Sequence, residues 1–107
     1  MNTNRSMDPW DALADGTRRT IVASLAERPQ AVGQIAERLP VTRSAVSQHL
    51  KVLKDAGLVT ERQSGTRRIY RLNPAAVAAL RDQLDTFWQR ALAGYAEIAE
   101  ETTEDSS

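Results

Sequence analysis

Cysteine is absent from this chain of 107 residues, which removes disulfides, thiolate nucleophiles and thiolate metal sites together and fits a reducing cytoplasm. No apolar run reaches the ~20 residues needed to span a bilayer. The amino end, MNTNRSMDPW, lacks the apolar core of a secretory signal. There is one histidine, and neither a glycine-rich phosphate loop nor a grouping of metal ligands is present. An enzyme would need some such constellation, so no catalytic residue, metal or cofactor is expected. Aromatics are scarce: Trp10, Tyr70, Phe87, Trp88 and Tyr95 are all there are.

Net charge is missing too, since 14 basic residues balance 14 acidic ones. The balance is not local. Residues 16–72 carry a net +7, residues 1–15 a net −2 and residues 73–107 a net −5. A basic middle between acidic ends is the distribution of a DNA-reading module flanked by elements with another task. Composition alone also allows a chance run of solvated faces.

Local signals divide the chain. Asp8-Pro9 is a cap followed by a proline at the first helical position, opening a short helix Pro9–Leu13. A second helix is expected over about Thr17–Ala26, with Ile21, Val22 and Leu25 as its apolar stripe, stopped by Arg28-Pro29. Val32, Ile35, Ala36 and Leu39 have the spacing of one buried face on a third helix, Val32–Leu39. After the turn Pro40–Thr42, Thr42 caps a fourth helix that runs to about Ala56, where Gly57 suits the left-handed end position. Leu58–Gln63 and Arg67–Leu72 read as two strands around Ser64-Gly65-Thr66, and Asn73-Pro74 opens a long helix to about Glu100. The expected fold is mainly α with a small β-hairpin: a single winged helix-turn-helix domain of about five helices plus a two-stranded wing, with loose ends at 1–7 and 101–107.

The fourth helix is the most informative segment. Ala45, Val46, Leu50 and Leu53 form an anchoring face, and the opposite face presents Thr42, Arg43, Ser44, Ser47, Gln48 and Lys51. No acid occurs between Thr42 and Lys54. A helix face serving only solubility would mix both signs. Gln48 can offer a paired donor and acceptor to adenine, and Arg43 can pair with guanine or phosphate. Ser44 and Ser47 suit base edges or phosphate, and Lys51 suits phosphate. Arg62, Arg67 and Arg68 gather near the hairpin tip with Arg71 behind them, as in a wing over the flanking backbone or minor groove. The competing reading is edge protection, because charge also keeps exposed strands from pairing. His49, at the margin of the apolar face, reads as a packed, hydrogen-bonded side chain before a DNA contact or a pH-sensitive group.

In the last helix Leu80, Leu84, Phe87, Ala91, Tyr95 and Ile98 recur at helical spacing, widened by Val77, Trp88 and Leu92. A stripe this broad must be covered. Together with Trp10 and Leu13 it reads as a dimer layer formed by helices 8–14 and 74–100, with Leu80, Leu84, Phe87, Trp88 and Tyr95 at the interface. The plainer alternative is that these helices cover the domain's own core. A dimer would place two reading helices about 34 Å apart for an inverted repeat.

The stretch SAVSQHLKVLKDAGLV followed by an arginine-rich hairpin, within residues 12–74, resembles the ArsR-type (arsenical-repressor-like) winged-helix regulators of bacteria. The resemblance implies a cytoplasmic homodimer joined through the first and last helices, binding double-stranded promoter DNA and repressing by occluding polymerase. An activator or dual regulator of the same family and a nonspecific architectural protein remain alternatives, as does a winged helix used for protein contact alone. Metal-sensing members carry cysteines where this chain has Ala31 and Gly33, and others use Asp and His on the last helix. Here Asp82 and Asp85 have no histidine beside them, so no transition-metal sensing is expected. Gly16 stands where the family commonly has proline.

Overall fold

A computed structural model of the chain describes residues 7–106, with side chains through Glu100. Five helices and a three-stranded antiparallel sheet follow in the order α1 (Pro9–Ala12), α2 (Gly16–Glu27), β1 (Gln30–Ala31), α3 (Val32–Ala36), α4 (Arg43–Asp55), β2 (Val59–Ser64), β3 (Arg67–Leu72) and α5 (Pro74–Ser106). This is a winged helix-turn-helix. The loose ends expected at 1–7 and 101–107 lie outside the described residues, apart from exposed Met7 and the helical backbone of 101–106. The chain divides into two compact units, one through Val77 and one from Ala78.

Side-chain caps set most helix starts. Asp8 Oδ1 accepts from the Trp10 N–H at 2.8 Å, Asp15 Oδ1 from that of Arg18 at 3.0 Å, and Thr42 Oγ1 from that of Ala45 at 3.0 Å. Each satisfies a donor that has no partner inside its helix, worth about 1 kcal/mol. Gly57 ends α4 at φ +81°, and the bonds Gly57 N–H to Lys54 C=O and Leu58 N–H to Leu53 C=O close a Schellman turn. Asn73 joins the wing to α5. Its backbone N–H donates to the Leu58 C=O at 2.9 Å, its Nδ2 donates to the Gly57 C=O at 3.1 Å, and its Oδ1 accepts from Ala75 at 3.2 Å.

Several boundaries shift by one residue, α5 runs to Ser106 rather than to about Glu100, and two larger differences stand out. α3 stops at Ala36 rather than Leu39, because Arg38 and Leu39 bond three residues back, to Ile35 and Ala36, which tightens the chain ahead of Pro40. The expected two-stranded wing gains β1, whose Gln30 and Ala31 pair with Tyr70 and Ile69, so β3 is central in the order β1-β3-β2. Two residues are too few to display a strand period. The buried Gln30 side chain fixes this crossing by donating to the Ser24 carbonyl and hydroxyl, both at 2.9 Å.

The core of the first unit is drawn from α2 (Ile21, Leu25), α3 (Ile35), α4 (Val46, Leu50, Leu53) and the start of the wing (Leu58, Val59), all essentially inaccessible. Each such side chain stabilises the fold by about 1.5–3 kcal/mol relative to exposure. Three buried residues on one face of α4 set its rotation, and that rotation turns the opposite face outward.

Candidate nucleic-acid interface

The outward face of α4 carries Arg43, Ser44, Ser47, Gln48 and Lys51, all exposed, with Thr42 exposed at its cap. Ser44, Ser47, Gln48 and Lys51 follow the three-and-four spacing that aligns side chains on one helical face. The Thr42 oxygen is engaged as the cap, which leaves its O–H free to donate. The amino end of α4 has no acid in its first turn and carries Arg43, so helix dipole and side chain both favour an anion there. Further along, Lys51 meets Asp55 at 3.3 Å. That pair is exposed and weak, so Lys51 can exchange its partner at little cost.

The wing is a tight hairpin in which Ser64 opposes Arg67. Only Gly65 of the two linking residues has positive φ, at +63°, the pattern of a II′ turn. The register sorts the arginines. Arg62 opposes Ile69, and Arg67, Ile69 and Arg71 alternate to one face, while Arg68 shares the other with Glu61 and Tyr70. On that second face Lys54 Nζ donates to Glu61 Oε1, and Arg68 donates to Glu61 Oε2 at 3.1 Å. Glu61 is thereby the clasp between α4 and the wing, a role the sequence reading did not give it. Lys54 first, and Arg68 second, hold its carboxyl down to about 2 from an ordinary 4.5. Burial pushes the neighbouring Tyr70 hydroxyl up.

A carboxyl depressed on folding contributes stability that is complete above its ordinary range and is lost as the solution acidifies towards its folded value. Glu61→Gln keeps the shape and removes the charge. Its melting temperature should lie below that of the unaltered chain at neutral pH, and the gap should close as pH falls from about 4.5 to about 2. Thermal unfolding across that range measures it, and a gap indifferent to pH counts against the clasp.

Several arginines of the basic middle have structural work. Arg18 Nε donates to the Ala12 C=O at 2.6 Å, and its Nη1 lies 3.3 Å from His49 Nδ1. A guanidinium only donates, so this ring nitrogen accepts and His49 is the packed, bonded residue of the first sequence reading. Arg19 donates to the Leu13 and Ala14 carbonyls at 2.8 and 3.1 Å. Arg38 pairs with Glu27 at 3.5 Å. The side chains of Arg43, Arg62, Arg67 and Arg71 make no hydrogen bond or ion pair among the described residues. Four uncommitted cations therefore remain on the α4 and wing surface.

Of the residues assigned to a dimer layer, Leu84 (41%), Phe87 (59%), Trp88 (53%) and Tyr95 (71%) stand exposed on α5, and Trp10 is 42% exposed on α1. Phe87 and Trp88 pack edge to face at 5.3 Å. Leu13 is half-buried, and Leu80 is 8% exposed in the single chain, so Leu80 has almost no surface left to offer a partner. Leu92 and Ile98, at 63% and 62%, extend the apolar stripe instead. No helix among the described residues is long and apolar enough to cross a membrane, and no three acidic or histidine side chains gather as a cation site there.

Comparison with known proteins gives a consistent result. The sequence pattern of the arsR family of bacterial regulatory proteins matches residues 15–61. The chain is 59% identical over 107 residues to the HTH-type transcriptional regulator Rv2034 of Mycobacterium tuberculosis, covering 99% of this chain and 100% of that one. A crystal structure of a possible transcriptional regulator for arsenical resistance is 44% identical, with a TM-score of 0.71 over 81% of this chain and 95% of that chain. The homodimeric winged helix-turn-helix DNA-binding domain Mb0332 of Mycobacterium bovis, solved in solution, is 35% identical with a TM-score of 0.63, covering 75% and 74%.

Proposed function

The chain belongs to the ArsR family of bacterial regulatory proteins, and from that premise we propose that it binds an inverted-repeat promoter site as a homodimer and represses transcription by occluding polymerase. It is a DNA-binding transcriptional regulator and not an enzyme. The observation that carries the proposal is the outward face of α4 from Thr42 to Lys54, which holds no acid and is flanked by uncommitted wing arginines. In this reading Arg43, Ser44, Ser47 and Gln48 enter the major groove, with Thr42 and Lys51 at its margins. Arg62 and Arg67 meet the flanking backbone, with Arg68 positioned through Glu61.

The homodimeric relative supports pairing, and the exposed α5 stripe supplies apolar surface for it. What supports repression is that a dimer seated on a promoter would share the duplex poorly with polymerase. The same module bound upstream of a promoter would activate.

The test is to sequence the genomic fragments that the purified protein retains, then footprint the tightest. The proposal expects a shared inverted repeat with half-site centres about 10 base pairs apart, overlapping the promoter. Fragments without common sequence, held with a steep salt dependence, would show an architectural protein instead.

A further inference from the structure

Beside Gly33 lies a polar cleft of about 350 Å³, bounded by α3, α4 and the wing tip, and lined by Gly33, Arg43, Ser47, Thr66, Arg67 and Arg68. Three arginines border one small space. The Arg43 guanidinium lies over Gly33, such that a side-chain carbon added there would be 3.6 Å from its Cζ. Arg43 and Arg67 have no side-chain partner among the described residues. Arg68 is anchored from behind by Glu61, whose two oxygens are taken by Arg68 and Lys54. No acid lines the cleft. Like charges brought together in this way repel unless an anion joins them, and planar guanidiniums with two hydroxyls suit a phosphate group in particular.

We propose that this cleft is a phosphate seat, which takes one phosphate group between the start of the reading helix and the tip of the wing. The inference rests on the DNA-binding reading only for the source of that group. In the complex it is a backbone phosphodiester, and the seat then locks the helix and wing to one register on the duplex. A free pyrophosphate has the same chemistry and competes for the place.

Gly33→Asp tests the seat. It introduces a carboxylate beside Arg43, in the first turn of a helix where an acid is welcome, so folding should survive. Gly33→Asn is the uncharged comparator of equal size. Pyrophosphate is titrated into the protein without DNA, at constant ionic strength, while arginine Nε–H and Gly33-region amide signals are followed by NMR. Saturable shifts centred on Arg43, Arg67 and Ser47 are expected, retained in Gly33→Asn and lost in Gly33→Asp. Shifts that never saturate, or that persist in Gly33→Asp, overturn the seat.

A second measurement identifies the source. If a backbone phosphate occupies the cleft, Gly33→Asp loses about tenfold in affinity for duplex DNA, and its log–log salt slope falls by about one per subunit relative to Gly33→Asn. An unchanged slope together with lost pyrophosphate binding assigns the seat to a free phosphate compound and overturns the duplex source. Should the chain bind no duplex at all, the functional reading fails while the pyrophosphate titration still decides the seat.

Discussion

Arg43→Ala combined with Gln48→Ala should cut affinity for the footprinted site by about 10²-fold or more, while leaving a folded dimer. Both side chains are exposed on the outward face of α4, and neither takes part in the core or the cap. The anchoring residues Val46, Leu50 and Leu53 remain, and so does the Thr42 cap. Alanine is the best helix former, so the helix itself does not suffer. Each paired contact to a base is worth about 1–3 kcal/mol of discrimination, and two lost together bring the specific complex close to nonspecific strength. The loss should be larger on the footprinted site than on unrelated duplex, where only the phosphate share of Arg43 is lost and the base contact of Gln48 counts for nothing. Competition binding with the footprinted and a scrambled duplex measures both. Equal loss on the two sequences would mean these residues hold phosphate only, and no loss on either would place the reading surface elsewhere.

If the α5 stripe pairs two copies as proposed, Phe87→Ala with Trp88→Ala should leave the protein monomeric at low micromolar concentration. More than half of each side chain is exposed in the single chain, and their edge-to-face contact makes one continuous aromatic patch on α5. Buried aromatics at an interface commonly cost about 2–4 kcal/mol each when truncated, so removing both weakens the pairing by several powers of ten. The single chain loses little, because both residues are more than half exposed in it. DNA affinity should fall with dimerisation, since two half-sites are then engaged by independent molecules rather than a linked pair. Sedimentation velocity reads the assembly state. A dimer that persists at unchanged strength would mean the aromatic patch serves some other contact.

The starts of α1, α4 and α5 and the two glycine turns were legible because their signals are local. Asp8-Pro9, Thr42 and Asn73-Pro74 open helices as their side chains require, and Gly57 and Gly65 take the positive φ that their turns demand. The apolar face of α4 was equally plain, since three buried residues at helical spacing can be recognised without knowing what covers them. The short strand β1 was not legible. Its two residues are a strand only because β3 lies alongside, and the pairing of Gln30 with Tyr70 spans the whole reading helix in sequence. The cleft at Gly33 escaped for the same reason, as its walls come from three separated segments.

The sequence by itself determined the order of the helices and the hairpin, the one-signed stretch of α4 and the apolar stripe of α5, because each depends on neighbours within a few residues. Tertiary structure decided which cations are committed. Arg18 and Arg19 hold the turn between the first two helices, and Arg68 is clasped by Glu61, whereas Arg43 and Arg67 are left to border a cleft. A count of charges treats these five arginines alike. Pairing through space separates them, because an ion or hydrogen bond forms over about 3 Å, whatever the distance along the chain.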